Sequence, residues 1–231
     1  MKLHIHEWGT GDRLALLVHG IMADHRTFAR TGPALAARGY RVLAIDLRGH
    51  GATGPAGPYT LDAFAGDLLD TLPTGAELAL GHSLGGLALA RAAERLAPAR
   101  AVYEDPAWLP PGPSIFQGLD LDRLRSAGRE QIAASAPRWS AQDIDIEVET
   151  LRLWDPETTA FLDPLRETDL LPVRPVVPSL VVLADGSHVV GQDRAALLAE
   201  RGFEVRTVRG AGHVIHRDDF DGFLKALDGW I

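Results

Sequence analysis

Six short apolar runs punctuate the chain: Leu14–Val18, Val42–Ile45, Leu78–Leu80, Ala101–Tyr103, Leu180–Leu183 and Phe203–Val208. Helix-patterned stretches separate them. Leu61, Phe64, Ala65, Leu68, Leu69 and Leu72, for example, fall on one face of a 3.6-residue period. Short buried strands alternating with helices predict an α/β fold, a mostly parallel central sheet with helices on both faces. In such a sheet reactive groups gather at the carboxyl ends of the strands.

The alternation is broken once. A Pro/Gly cluster runs from Pro106 to Pro113, and strand character returns only near Leu180, after Pro172, Pro175 and Pro178. The stretches 119–134, 141–154 and 157–171 between them read as helical. The expected organisation is a core made of residues 1–106 and 173–231, with a small helical lid, 107–172, inserted over the sheet edge.

Candidate chemistry falls at strand ends. Gly81-His82-Ser83-Leu84-Gly85 lies between the apolar run Leu78–Leu80 and the helix-forming stretch 87–96, so it predicts a strand, a sharp turn and a helix. A serine on such a turn is held in strained geometry, and the small residues at 81, 85 and 86 let strand and helix approach closely. Serine needs a base in hydrogen-bonding reach. His213, at the end of Gly210-Ala211-Gly212-His213 after the last strand, is preferred over His216, since His216-Arg217-Asp218-Asp219 reads as the start of a helix. Attack on a carbonyl also calls for two backbone donors at the developing oxyanion. The N–H groups of Leu84 and of Ile21, which follows His19-Gly20 at the end of the first run, are the candidates.

Composition narrows the classes. The 231 residues are 46% hydrophobic and 23% charged, the balance of one globular domain. A net charge of −8 argues against a phosphate-tracking surface, so no nucleic-acid partner is expected. The absence of cysteine excludes a disulfide framework, a thiolate metal site and a cysteine nucleophile. No apolar stretch approaches the ~20 residues of a membrane span, and Met1–Trp8 lacks the pattern of a signal peptide. A cytoplasmic protein with a small-molecule substrate and no membrane partner is the expectation.

His19-Gly20, Asp46-Leu47-Arg48-Gly49-His50-Gly51 and Gly81-His82-Ser83-Leu84-Gly85-Gly86, in that order, resemble the α/β-hydrolase fold family over almost the whole chain. The resemblance implies a serine hydrolase with no cofactor and no metal. It gives Asp46, Arg48 and His50 local hydrogen-bonding roles, and His82 a turn or packing role. The family's triad acid usually follows the strand that here is Leu180–Leu183, but Ala184-Asp185-Gly186-Ser187-His188 puts Ser187 at that place. In branches that include haloalkane dehalogenases and some lactone hydrolases, the acid follows the strand after the nucleophile helix. Glu104 in Val102-Tyr103-Glu104-Asp105-Pro106 matches that position, which makes it the expected acid, with Asp105 and Asp185 as alternatives.

The implied activity is hydrolysis of a small, largely apolar ester or lactone through an acyl-enzyme. Carbon–carbon bond hydrolysis, perhydrolysis and a non-catalytic ligand receptor remain alternatives on the same scaffold. Dehalogenase and epoxide hydrolase chemistry is disfavoured, because those branches carry aspartate where Ser83 stands. Trp108, Ile115, Phe116, Trp139, Trp154 and Phe161 are apolar candidates for the pocket wall.

Overall fold

Seven strands build one sheet in the computed structural model, which describes residues 1–231. They are β1 (His4–Trp8), β2 (Arg13–Val18), β3 (Tyr40–Asp46), β4 (Leu78–His82), β5 (Arg100–Glu104), β6 (Ser179–Ala184) and β7 (Glu204–Val208). Their spatial order is β1-β3-β2-β4-β5-β6-β7, with β1 antiparallel to β3 and every other pair parallel. The six apolar runs are β2 to β7. β1 is an edge strand, so it carries the polar alternation His4-Ile5-His6-Glu7-Trp8 instead of a buried run.

The helices are α1 (Thr31–Ala36), α2 (Leu61–Thr71), α3 (Leu84–Leu96), α4 (Leu121–Arg125), α5 (Arg129–Ser135), α6 (Ala141–Leu153), α7 (Gln192–Glu200), α8 (Ile215–Asp218) and α9 (Phe220–Ala226). Two 3₁₀ helices, His25–Phe28 and Pro156–Leu165, join them. Thr60 caps α2 by accepting from the Ala63 amide, and Phe64, Ala65 and Leu68 on its inner face are buried. The expected helix over 119–134 is two pieces, because Gly128 breaks it and begins α5, with the Gln131 side chain accepting from the Gly128 amide. Of the expected helix over 157–171 only the part up to Leu165 is helical, a 3₁₀ helix, Pro156–Leu165, with Pro164 inside, where the ring removes an amide donor.

Strand periodicity divides the core in two. Leu16, Val18, Leu43, Ile45, Tyr103, Val181 and Leu183 face a cluster shared with α2, α3 and α7. Leu17, Val42, Ala44, Leu80, Val102 and Val182 face the other, shared with α1 and α9. The 107–172 insertion has little core of its own. Trp108, Leu109, Phe161, Leu162 and Leu171 join the first main cluster, while Ile132, Ile144 and Leu151 form a small separate one. Residues 107–172 thus share the sheet's core at both ends, and the stretch between is tied to it by the Trp139–Asp218 and Glu147–Arg217 contacts.

Candidate active site

The nucleophile candidate lies where β4 turns into α3. Ser83 has φ 51° and ψ −116°, a strained conformation for a residue with a Cβ. The turn is possible because the chain is bare around it. A Cβ on Gly85 would stand 2.2 Å from the Val18 carbonyl oxygen and 2.4 Å from that of His19. The strain lifts the serine hydroxyl above the carboxyl ends of β4 and β5.

His213 approaches from the loop after β7. Its Nε2 lies 2.9 Å from Ser83 Oγ, and its Nδ1 lies 2.6 Å from Asp105 Oδ2. With the proton on Nδ1, Asp105 accepts it and Nε2 is left to accept from the serine. Asp105 is fully buried, and its other oxygen accepts from the Ala184 amide at 3.2 Å. His82, next to the serine, donates from Nε2 to the His213 carbonyl oxygen at 3.0 Å. Burial pushes His82 down to about 3, so it stays neutral and serves as a prop for the base.

The expected acid was Glu104, and here the structure differs. Glu104 is buried, but both its oxygens lie 2.8 Å from His216 Nδ1, and one also accepts the His216 amide at 2.9 Å. The reason is backbone geometry. Glu104 ends β5 and Asp105 follows it, so their side chains point to opposite sides, Glu104 toward His216 and Asp105, at φ 35°, toward His213. Burial works to raise the Glu104 carboxyl. The charge and hydrogen bonds of His216, aided by His82, outweigh it and hold Glu104 below the ordinary carboxylate range. Asp185 does not reach His213 either; it accepts from the Gly210 amide at 2.8 Å. Ser187 accepts from the Val190 amide at 3.0 Å.

The two expected backbone donors flank the serine. Leu84 is the first residue of α3, where amides have no acceptor in the preceding turn. Ile21 lines the same cavity as Ser83, and the residue before it, Gly20, is so close that an added Cβ would stand 3.1 Å from Ser83 Cβ. The next residue, Met22, has φ 68°, and its amide donates to His50 Nε2 at 3.3 Å. His50 in turn donates from Nδ1 to the Arg48 carbonyl, and burial pushes it down to about 3. Arg48 binds Asp67 through Nε at 2.5 Å and Nη2 at 2.7 Å, while Asp46 accepts from His25 and Ala52 amides. These residues brace the loop beneath the site.

Ser83 and His213 open onto a cavity of about 240 Å³. Ile115 and Phe116, two of the apolar candidates, line it; Trp108, Trp154 and Phe161 are core residues instead, and Trp139 packs under Arg217. A second cavity of about 200 Å³, walled by Leu109, Leu162, Leu165 and Leu170, shares Ile115 and His188 with the first. Burial, with His213 nearby, pushes His188 below the ordinary histidine value. Glu147 and Arg217 are the charged residues of the wall, and the sequence pattern did not mark them, since each falls in a stretch that reads simply as helix. One cluster, His4, His25 and Asp46, has ligand-type atoms within 4.8 Å of one another. It includes no residue of the cavity, and His25 already occupies one Asp46 oxygen at 2.8 Å.

A profile of the Alpha/beta hydrolase family matches residues 15–226. The chain belongs to the alpha/beta hydrolase family. Among curated alpha/beta hydrolase relatives, N-formylmaleamate deformylase of Pseudomonas putida is 27% identical over 250 residues, spanning 100% of this chain and 93% of the relative. A crystal structure of an N-formylmaleamic acid deformylase from Pseudomonas putida superposes with a TM-score of 0.80 at 24% identity, covering 98% of this chain and 95% of the other, a likeness of fold. An enol-lactonase from Burkholderia xenovorans gives a TM-score of 0.74 at 26% identity, covering 98% and 95%. No helix of this alpha/beta hydrolase is long and apolar enough to cross a membrane.

Proposed function

We propose that the protein is a serine hydrolase that cleaves a small carbonyl substrate, an ester or lactone, through an acyl-enzyme. The observation that carries this reading is the continuous chain from Ser83 Oγ to His213 at 2.9 Å and on to Asp105 at 2.6 Å. His213 Nε2 takes the Ser83 proton as the oxygen attacks the carbonyl carbon, and Asp105 stabilises the imidazolium that forms. The Ile21 and Leu84 amides donate to the tetrahedral oxyanion. Collapse breaks the bond to the leaving group, which takes the proton back from His213. Water, deprotonated by the same imidazole, then attacks the acyl carbon; the bond to Ser83 Oγ breaks, the acid leaves, and Ser83 takes the proton back from His213.

Two cavities of about 240 and 200 Å³, the second mostly apolar, favour a compact substrate with an apolar arm. A lactone is supported by the enol-lactonase likeness at 26% identity. A second reading, removal of a formyl group from nitrogen, is favoured by the deformylase relative that aligns with 100% of this chain. The same nucleophile serves both. Rates on a ring ester, an open-chain ester and an N-formyl amide separate them.

The direct test is intact-mass spectrometry after exposure to an active-site-directed organophosphonate. One adduct on Ser83, lost in S83A and H213A and slowed far more by D105N than by E104Q or D185N, is expected. A folded native protein that never labels would overturn the reading in favour of a ligand receptor.

A further inference from the structure

The Glu147–Arg217 pair is the one charged feature in a cavity otherwise walled by apolar residues, a threonine and neutral-capable imidazoles. Its two members are not equally available. The Arg217 side chain is 1% exposed, with its Nη1 donating to Glu147 Oε2 at 2.6 Å, Asp143 at 3.7 Å from its Nε and the Trp139 ring 4.6 Å from its guanidinium carbon. Glu147 is 16% exposed and only Oε2 is engaged, so Oε1 is the free acceptor of the pair; Arg217 Nε and Nη2 also lack hydrogen-bond partners but are enclosed.

We propose that Glu147 is a specificity-determining residue whose Oε1 accepts a hydrogen bond from an uncharged donor on the substrate, an amide N–H or a hydroxyl. The proposal rests on Ser83 being the nucleophile. Charge balance selects the donor class. Arg217 already neutralises Glu147, so a substrate ammonium would enter a poorly solvated space without a free counter-charge. A substrate carboxylate would meet Glu147 before it met the enclosed guanidinium, with Asp143 behind. A neutral donor satisfies Oε1 and adds no charge. Burial also keeps the Glu147 carboxyl above its usual range in spite of Arg217, consistent with a wall from which water is largely withheld. In such a wall an unmatched acceptor is costly, so analogues lacking the donor are rejected.

The experiment compares kcat/KM for p-nitrophenyl esters of phenylacetic acids carrying ethyl, hydroxymethyl or formyl groups at ring position 3 or 4. Aminomethyl and carboxyl members complete the set, and native protein is measured beside E147Q. The native protein should favour hydroxymethyl over ethyl by about tenfold at one ring position, the scale of one well-placed hydrogen bond, and disfavour formyl, whose oxygen would face Oε1. In E147Q the single amide oxygen goes to Arg217, which turns an NH₂ into the cavity. The formyl ester should then gain about tenfold on the ethyl ester at that same position.

Equal rates for ethyl and hydroxymethyl at both positions, native preference for formyl, or native preference for a charged member would overturn the proposal. A p-nitrophenol burst and a Ser83 adduct without discrimination would remove Glu147's role alone. No burst and no adduct would remove the serine hydrolase reading with it.

Discussion

Glu104 and Asp105 are consecutive and both fully buried, yet each holds a different histidine: Glu104 binds His216 and Asp105 binds His213. Only Asp105 is linked through its histidine to Ser83. D105N should therefore lower kcat by about 10³- to 10⁴-fold with a small change in melting temperature, because the wrong tautomer of His213 would be favoured. E104Q should do the reverse. It replaces the buried carboxylate that holds the His216 amide and ring, and should cost about 1–3 kcal/mol of stability while retaining far more activity. Steady-state kinetics and thermal melts on both variants check the division; a larger loss of kcat in E104Q would refute it.

Acid should unfold this protein early. Burial pushes His50 and His82 down to about 3 in the folded chain, against an ordinary value of 6.5. The unfolded chain thus binds more protons between those values, so stability is full above pH 6.5 and falls as pH drops through that window. Each residue contributes a loss of about 2 kcal/mol by pH 5. Urea unfolding at pH 7.5 and pH 5 should show the drop, and H82Q should remove only the His82 share, the rest staying with His50 and with His19, which burial also holds below the ordinary histidine value. Equal stability at the two pH values would contradict the neutral, buried state of both rings.

Arg48 is expected to be structural. It forks onto Asp67 with contacts of 2.5 and 2.7 Å and also donates to the Pro58 carbonyl at 2.7 Å. R48M keeps the apolar stem but leaves a buried carboxylate with only the chain's amino group near it, and should cost about 3 kcal/mol in urea unfolding. Activity per folded molecule should survive. A stable R48M protein with no turnover would instead place Arg48 in the chemistry.

The elbow should tolerate no added methyl group. In G85A the new Cβ would press on the carbonyl oxygens of Val18 and His19 at 2.2 and 2.4 Å, backbone atoms that cannot rotate away. The expected outcome is a loss of about 3 kcal/mol or an insoluble product, measured by soluble yield and melting temperature. A G85A protein as stable as the native one would mean that α3 does not seat on the end of β2.

The fold was legible because burial writes itself into period: β2 to β7 are apolar runs, and α2 carries a helical stripe. β1 escaped that signal because its His4-Ile5-His6-Glu7 is polar and mostly exposed, whereas β7, at the other edge, is marked by the buried Phe203 and Val208. Ser83 and His213 could be read from flanking patterns of strand, glycine and helix. The acid could not, since residues 104 and 105 point to opposite faces and nothing local tells on which face the chain after β7 places His213 and on which His216. Glu147 and Arg217 meet across 70 residues of sequence, a proximity that local pattern cannot reveal.

The chain leaves the sheet after Asp105 and returns before β6, so this excursion joins the carboxyl end of β5 to the amino end of its parallel neighbour. The groups of the proposed proton relay all lie outside that excursion, whereas Ile115, Phe116 and Glu147 lie within it. The proposed reaction and the proposed selectivity thus draw largely on different stretches of the chain, joined at Arg217, which holds Glu147 from outside the excursion. On that reading, exchanging the excursion would change what the cavity admits while leaving Ser83, His213 and Asp105 in place.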